Sequence, residues 1–185
     1  MQKNPHHTVT LVLGGVRSGK SHYAQQLGER AARVVFVATA SAGDDVEMQR
    51  KVERHQSSRP PHWQTVEEPL RLAETIAHFG PNCDLMIIDC LTIFASNLLE
   101  ATGEDRDLAN RKVEELCLAL QSAQCDVVLV SNEVGSGVVP AYPLGRRFRD
   151  LLGEINQRVA RVSNTVLLLV AGLPLVLKGK AESHS

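Results

Sequence analysis

The chain has 185 residues, of which 43% are hydrophobic and 22% charged, enough for one globular domain with a sizeable core. Its formal net charge is -1, so no global basic field argues for a nucleic-acid or membrane partner. The apolar run ahead of the first glycines is too short for a signal sequence or a membrane span. The four cysteines form no C-x-x-C pair, so they read as buried thiols of a reducing, cytoplasmic compartment rather than as disulfides or zinc ligands.

Taken in order, residues 1–8 read as a flexible extension. The apolar residues 9–13 predict a first strand. Gly14, Gly15, Val16, Arg17, Ser18, Gly19, Lys20 and Ser21 follow it as G-x-x-x-x-G-K-S. A strand, this loop and a helix make a phosphate-binding loop, or P-loop. The glycines let successive N–H groups turn inward toward phosphate oxygens, and the next helix presents its positive end to the same place. Lys20 supplies a mobile cation for the outer phosphates and Ser21 a hydroxyl for Mg²⁺. The chain therefore binds a nucleoside triphosphate.

Helix formers predict a helix over 20–32, and the β-branched run 33–40 a buried strand. A helix is expected over 45–56, stopped by the prolines at 60 and 61. Residues 63–68 read as extended, and Pro69 as the first turn of a helix over 70–79. The run 84–90 predicts another buried strand, 91–101 a helix, 102–107 a polar loop, and 108–124 a helix with apolar residues at Val113, Leu116, Cys117 and Leu120. A strand over 126–130, a glycine- and proline-rich loop over 135–143, a basic helix over 144–162, a strand over 165–170 and a short one at 175–177 complete the domain. Residues 179–185 read as a tail. Strands alternating with helices predict one α/β domain over 9–178, a mainly parallel sheet with helices on both faces.

Asp89 ends an apolar strand, on the edge where such sheets bind ligands. It is a candidate for organising Mg²⁺ with Ser21, directly or through water, or else for capping the helix that follows. Glu133, just past the strand over 126–130, is a candidate general base or positioner of a substrate hydroxyl, with a loop-fixing carboxylate as the alternative. His55 sits beside Lys51, Arg54 and Arg59. A kinase moving a γ-phosphoryl group needs no histidine nucleophile, whereas a nucleotidyl transfer can use one as a covalent carrier. A solvated surface histidine is the plain alternative, and His62 the rival. The arginines at 146, 147, 149, 158 and 161 read as a solvated or oligomer-contact face, or as a surface for an anion.

Three tracts in this order and spacing are specific: GGVRSGKS at 14–21, H-x-x-x-R-P-x-H-W at 55–63, and N-E-V-G-x-G-x-V-P at 132–140. On them the chain resembles the bifunctional adenosylcobinamide kinase / adenosylcobinamide-phosphate guanylyltransferase family of cobalamin biosynthesis, over nearly its whole length. The resemblance implies a RecA-like P-loop NTPase fold and a homotrimer. It implies phosphorylation of adenosylcobinamide, a corrinoid, with ATP or GTP. Transfer of GMP from GTP through a guanylylated histidine then gives adenosylcobinamide-GDP. That histidine matches His55. The nucleotide site would take in residues 14–21, Ala38, Thr39, Ala40, Gln56, Ser57, Ser58, Arg59, Glu67 and Asp89, with Lys20, Glu133 and His55 as catalytic candidates. Asp89 stands where some relatives carry glutamate. Two other functions stay open on the residues alone: a P-loop small-molecule kinase without nucleotidyl transfer, and a RecA-like nucleotide-dependent assembly protein.

Overall fold

The computed structural model of the chain describes residues 7–40 and 60–180. The helix expected over 45–56 lies outside them. Seven strands form one sheet: β1 (Val9–Gly14), β2 (Val34–Ala38), β3 (Gln64–Glu67), β4 (Leu85–Asp89), β5 (Asp126–Asn132), β6 (Thr165–Val170) and β7 (Leu173–Lys178). Their order is β3-β2-β4-β5-β1-β6-β7, and only β7, paired with β6, runs antiparallel. Consecutive parallel strands need crossovers, and these supply α1 (Lys20–Gly28), α2 (Leu72–Phe79), α3 (Leu91–Thr102), α4 (Arg106–Gln121) and α5 (Pro143–Val162).

The central strands are buried on both faces, as their β-branched runs require. On one face Val35, Met86, Ile88, Val127 and Leu129 pack against Leu72 and Ile76 of α2, Phe94 of α3, Leu116 of α4 and Leu152 of α5. On the other, Val12, Phe36, Ile87 and Val128 meet Tyr23 and Ala24 of α1 together with Trp63. Helices therefore cover both faces, unevenly. Burying each large aliphatic side chain stabilises the fold by about 2 kcal/mol.

Several boundaries differ from the sequence expectation for local reasons. The first helix ends at Gly28 rather than near residue 32, because the chain turns there over Trp63 to enter β2: a Cβ on Gly28 would lie 2.5 Å from the indole. The next described helix starts at Leu72, not 70. The Glu68 carboxylate takes the amides of Leu70 (3.0 Å) and Arg71 (2.8 Å) ahead of it. The loop expected over 102–107 is shorter, because Asp105 accepts the Leu108 amide and caps α4 at Arg106; α4 then ends at Gln121. The short last strand is a full hairpin partner of β6, turned by Ala171 (φ 52°) and Gly172 (φ 82°).

Candidate active site

Parallel strands bring their C-terminal ends to one edge, and the candidate residues collect there. Glu67, Ala38, Asp89 and Val130 are paired in one rung across β3, β2, β4 and β5. Beyond them Asn132 pairs with Gly14, the last residue of β1. Two glycines are required by close approach as well as by φ. A Cβ on Gly14 (φ 154°) would sit 2.6 Å from the Leu169 carbonyl, and one on Gly19 (φ 99°) 3.2 Å from Gly172 Cα. The Gly172 amide also donates to the Ser18 carbonyl (2.9 Å), so the β6–β7 turn braces the loop from outside. Arg17 holds φ 58°, a conformation that costs a non-glycine residue about 1 kcal/mol.

The loop opens on a cavity of about 440 Å³ bordered by Arg17, Lys20, Ser21, Asp89, Cys90 and Asn132. Lys20 is buried at the base of the loop, where its ammonium donates to the Gly15 carbonyl (2.6 Å) and the Ser18 hydroxyl (3.4 Å). Burial lowers its pKa, and the nearby Cys90 and Asp89 groups act against that shift. Burial raises the Cys90 thiol, and the Asp89 carboxylate raises it further. An anion entering the cavity thus meets a cation held by neutral carbonyl and hydroxyl oxygens that phosphate oxygens can replace. Ser21 and Asp89 are hard oxygen donors on the same cavity. They suit Mg²⁺, which takes one or two protein oxygens and completes its shell with phosphate and water. Among the described residues no group of three or more His, Cys, Asp or Glu is arranged to hold a metal.

Thr39 is fully buried and faces the strand ends rather than the cavity. Its hydroxyl donates to the Cys90 carbonyl (2.8 Å) and accepts the Cys90 amide (2.8 Å), while its own amide donates to the Asp89 carbonyl (3.2 Å). Thr39 therefore fixes Asp89. Ala40 follows it, and Glu67 stands exposed two strands from Asp89, roughly 10 Å away by strand spacing. The position preceding α3 belongs to Cys90, so Asp89 is not the helix cap. Glu133 is exposed, and its Oε1 accepts the Gly135 amide (2.6 Å). His55 and Gln56, Ser57, Ser58 and Arg59 lie outside the described residues. His62 precedes β3 on the opposite edge, separated from the phosphate edge by the length of that strand, roughly 15 Å. Arg146, Arg147, Arg149 and Arg158 are each engaged with neighbouring carbonyls or carboxylates, which favours the structural reading of that helix.

Four residues on the cavity, His22, Cys90, Val130 and Asn132, were not site candidates from the sequence. Folding brings His22, its ring hydrogen-bonded to Gln26 (3.2 Å), to the cavity. Asn132 was passed over for its neighbour Glu133, yet Asn132 is the one that borders the cavity. Strand alternation could have separated them, because it places adjacent side chains on opposite faces.

The family model described as cobinamide kinase / cobinamide phosphate guanyltransferase matches residues 10–177. The chain belongs to this family. Among curated relatives it is 42% identical over 171 residues to the bifunctional adenosylcobalamin biosynthesis protein CobP of Pseudomonas aeruginosa, covering 92% of this chain and 97% of that one. It is 39% identical over 180 residues to the bifunctional adenosylcobalamin biosynthesis protein CobU of Escherichia coli K12, covering 91% and 98%. Cobinamide kinase / guanyltransferase membership explains why a P-loop occurs with the two further tracts. Among solved structures, the type III secretion ATPase EscN with its central stalk EscO superposes with TM-score 0.60 at 13% identity, covering 96% of this chain and 48% of that one. A second type III secretion ATPase gives TM-score 0.57 at 14% identity, covering 87% and 51%. This chain spans about half the length of those ATPases, and the likeness shows a shared RecA-like P-loop NTPase fold. No described helix is long and apolar enough to cross a membrane.

Proposed function

We propose that this chain performs both reactions of its family at one nucleotide cavity: phosphorylation of adenosylcobinamide by ATP or GTP, then guanylylation of the product by GTP. The observation that carries this reading is the cavity itself, where Lys20, Ser21 and Asp89 meet at the sheet edge in a chain matched to the family over residues 10–177. In the kinase step the corrinoid hydroxyl attacks the γ-phosphorus and the nucleoside diphosphate leaves. Lys20 and the loop amides hold the phosphate oxygens in line and offset their charge. Mg²⁺, held by Ser21 and Asp89 directly or through water, would add charge neutralisation at the outer phosphates. In the transferase step an imidazole attacks the α-phosphorus of GTP and pyrophosphate leaves. The corrinoid phosphate then displaces the imidazole to give adenosylcobinamide-GDP.

His55 is the proposed imidazole, on its place in the H-x-x-x-R-P-x-H-W tract; the position of its rival His62 ahead of β3, away from the phosphate edge, supports that choice. Incubation with α-labelled GTP should leave acid-labile, base-stable label on the protein. His55→Ala should remove that label, and label persisting in the variant would overturn the assignment.

The protein is proposed to be cytoplasmic, supported by four free thiols in a nucleotide-dependent enzyme. A homotrimer is proposed from the family resemblance. It is supported by the exposed apolar strand β7, where Leu173, Leu175 and Leu177 alternate on one face at 72%, 56% and 54% exposure.

A further inference from the structure

β5 runs between the strand that carries the P-loop and the strand that carries Asp89. Its Val130 pairs with Asp89 and its Asn132 with Gly14. Residues two apart on a strand share a face, and both of these border the cavity with Lys20 and Ser21. Asn132 therefore stands between the loop and the acid, the region that must receive the outermost phosphate of a bound triphosphate.

The backbone at this point is fixed from two sides. The Asn132 amide donates to Thr92 Oγ1 of α3 (2.9 Å). The Asn132 carbonyl accepts from Asn156 Nδ2 of α5 (3.0 Å), and Asn156 Oδ1 accepts the Ser131 hydroxyl (2.7 Å). Ser131 is 0% and Asn156 7% exposed. Burying such a set costs free energy unless every member is paired, and here the pairing converges on one strand end. The Asn132 side-chain amide has no hydrogen-bond partner among the described residues and borders the cavity. It is a neutral donor on a residue whose backbone is pinned beside the cavity by Thr92 and Asn156, a frame that the P-loop chemistry does not otherwise use.

We propose that Asn132 is a catalytic residue of the kinase step, donating from its side-chain amide to a γ-phosphoryl oxygen, and that Asn156, Thr92 and Ser131 are its positioning residues. The proposal rests on the reading of this cavity as the nucleotide site. In the step, the corrinoid oxygen bonds to the γ-phosphorus and the bond to the β–γ bridging oxygen breaks. The nucleoside diphosphate keeps that electron pair, and the hydroxyl proton leaves to water. Asn132 gains and loses no proton. It keeps the γ-phosphoryl group aligned between the entering and leaving oxygens.

The test measures kinase kcat and KM, with the affinities of a non-hydrolysable triphosphate and of the diphosphate, for the wild type, Asn132→Ala, Asn132→Asp, Asn156→Ala and Lys20→Ala. Asn132→Ala should lower kcat roughly 100-fold, the scale of one lost transition-state donor, and leave diphosphate affinity within about threefold. The same variant should lose the preference for triphosphate over diphosphate. Asn132→Asp keeps the shape but opposes phosphate charge, so its kcat should fall at least as far. Asn156→Ala, assayed below its unfolding range, should lower kcat with little change in nucleotide KM. An Asn132→Ala enzyme with wild-type kcat and triphosphate preference overturns the proposal, as does a parallel loss of diphosphate affinity. If Lys20→Ala abolishes nucleotide binding while Asn132→Ala is silent, only the role of Asn132 fails. If Lys20→Ala leaves binding intact, the nucleotide reading of the cavity fails with it.

Discussion

Lys20 is already held inside its own loop, by the Gly15 carbonyl at 2.6 Å, so a triphosphate exchanges one set of oxygens for another. That exchange replaces neutral acceptors with charged ones, the stronger partners for an ammonium. Two carboxylates away from the cavity act on stability instead. The Arg33 guanidinium beside Asp84 holds its carboxyl below the usual value, and Arg33 and Asp84 join the beginnings of β2 and β4 (2.5 Å). Burial alone would raise the Glu68 carboxyl, but the amides of Arg71 and Leu70 and the Arg71 charge outweigh it and lower the pKa. A folded-state pKa below the unfolded value favours the folded chain above the unfolded value, and the contribution is lost as pH falls through the folded one. The thermal midpoint should therefore decline as pH drops below about 4. Glu68→Gln should flatten that decline in a pH series of melting curves. An unchanged acid slope in the variant would show that Glu68 is not among the groups responsible.

At the scale of elements, the strand ends were legible because their chemistry is written locally. A β-branched run ending in glycines, or in Asp89, marks both a buried strand and the edge it reaches. Asn132 was harder to find. An asparagine after a strand reads as turn chemistry, and only the pairing with Gly14 and the partners Thr92 and Asn156, 40 and 24 residues distant, give it a role. Thr39 entered through the family resemblance as a lining residue, and its hydroxyl both donates to the Cys90 carbonyl and accepts the Cys90 amide. The hairpin strand β7 was underestimated because Pro174 interrupts the apolar run. Its turn takes positive φ at Ala171 as well as Gly172, and alanine carries no turn signal. His62 lies just ahead of β3, so that four-residue strand separates it from the phosphate edge.

At the scale of the whole molecule, the sheet formed by the described residues ends on β3 and β7, and these two strands differ. β3 is polar and exposed, while β7 presents leucines beside the turn that braces the P-loop. An exposed apolar edge strand invites pairing with another copy. The intact protein should scatter light as a trimer, and Leu175→Lys should shift it toward monomer. A monomeric wild type, or a trimer indifferent to that charge, would count against β7 as the contact. In the proposed function one cavity serves attack at two phosphorus atoms, γ in the kinase step and α in the transferase step. Its most direct test is Lys20→Ala assayed for both: phosphorylation of adenosylcobinamide, and GMP transfer to adenosylcobinamide-phosphate supplied ready-made. A shared cavity predicts that both rates fall together, each by at least about 100-fold. A variant that loses the kinase step but transfers GMP at the wild-type rate would contradict the shared cavity.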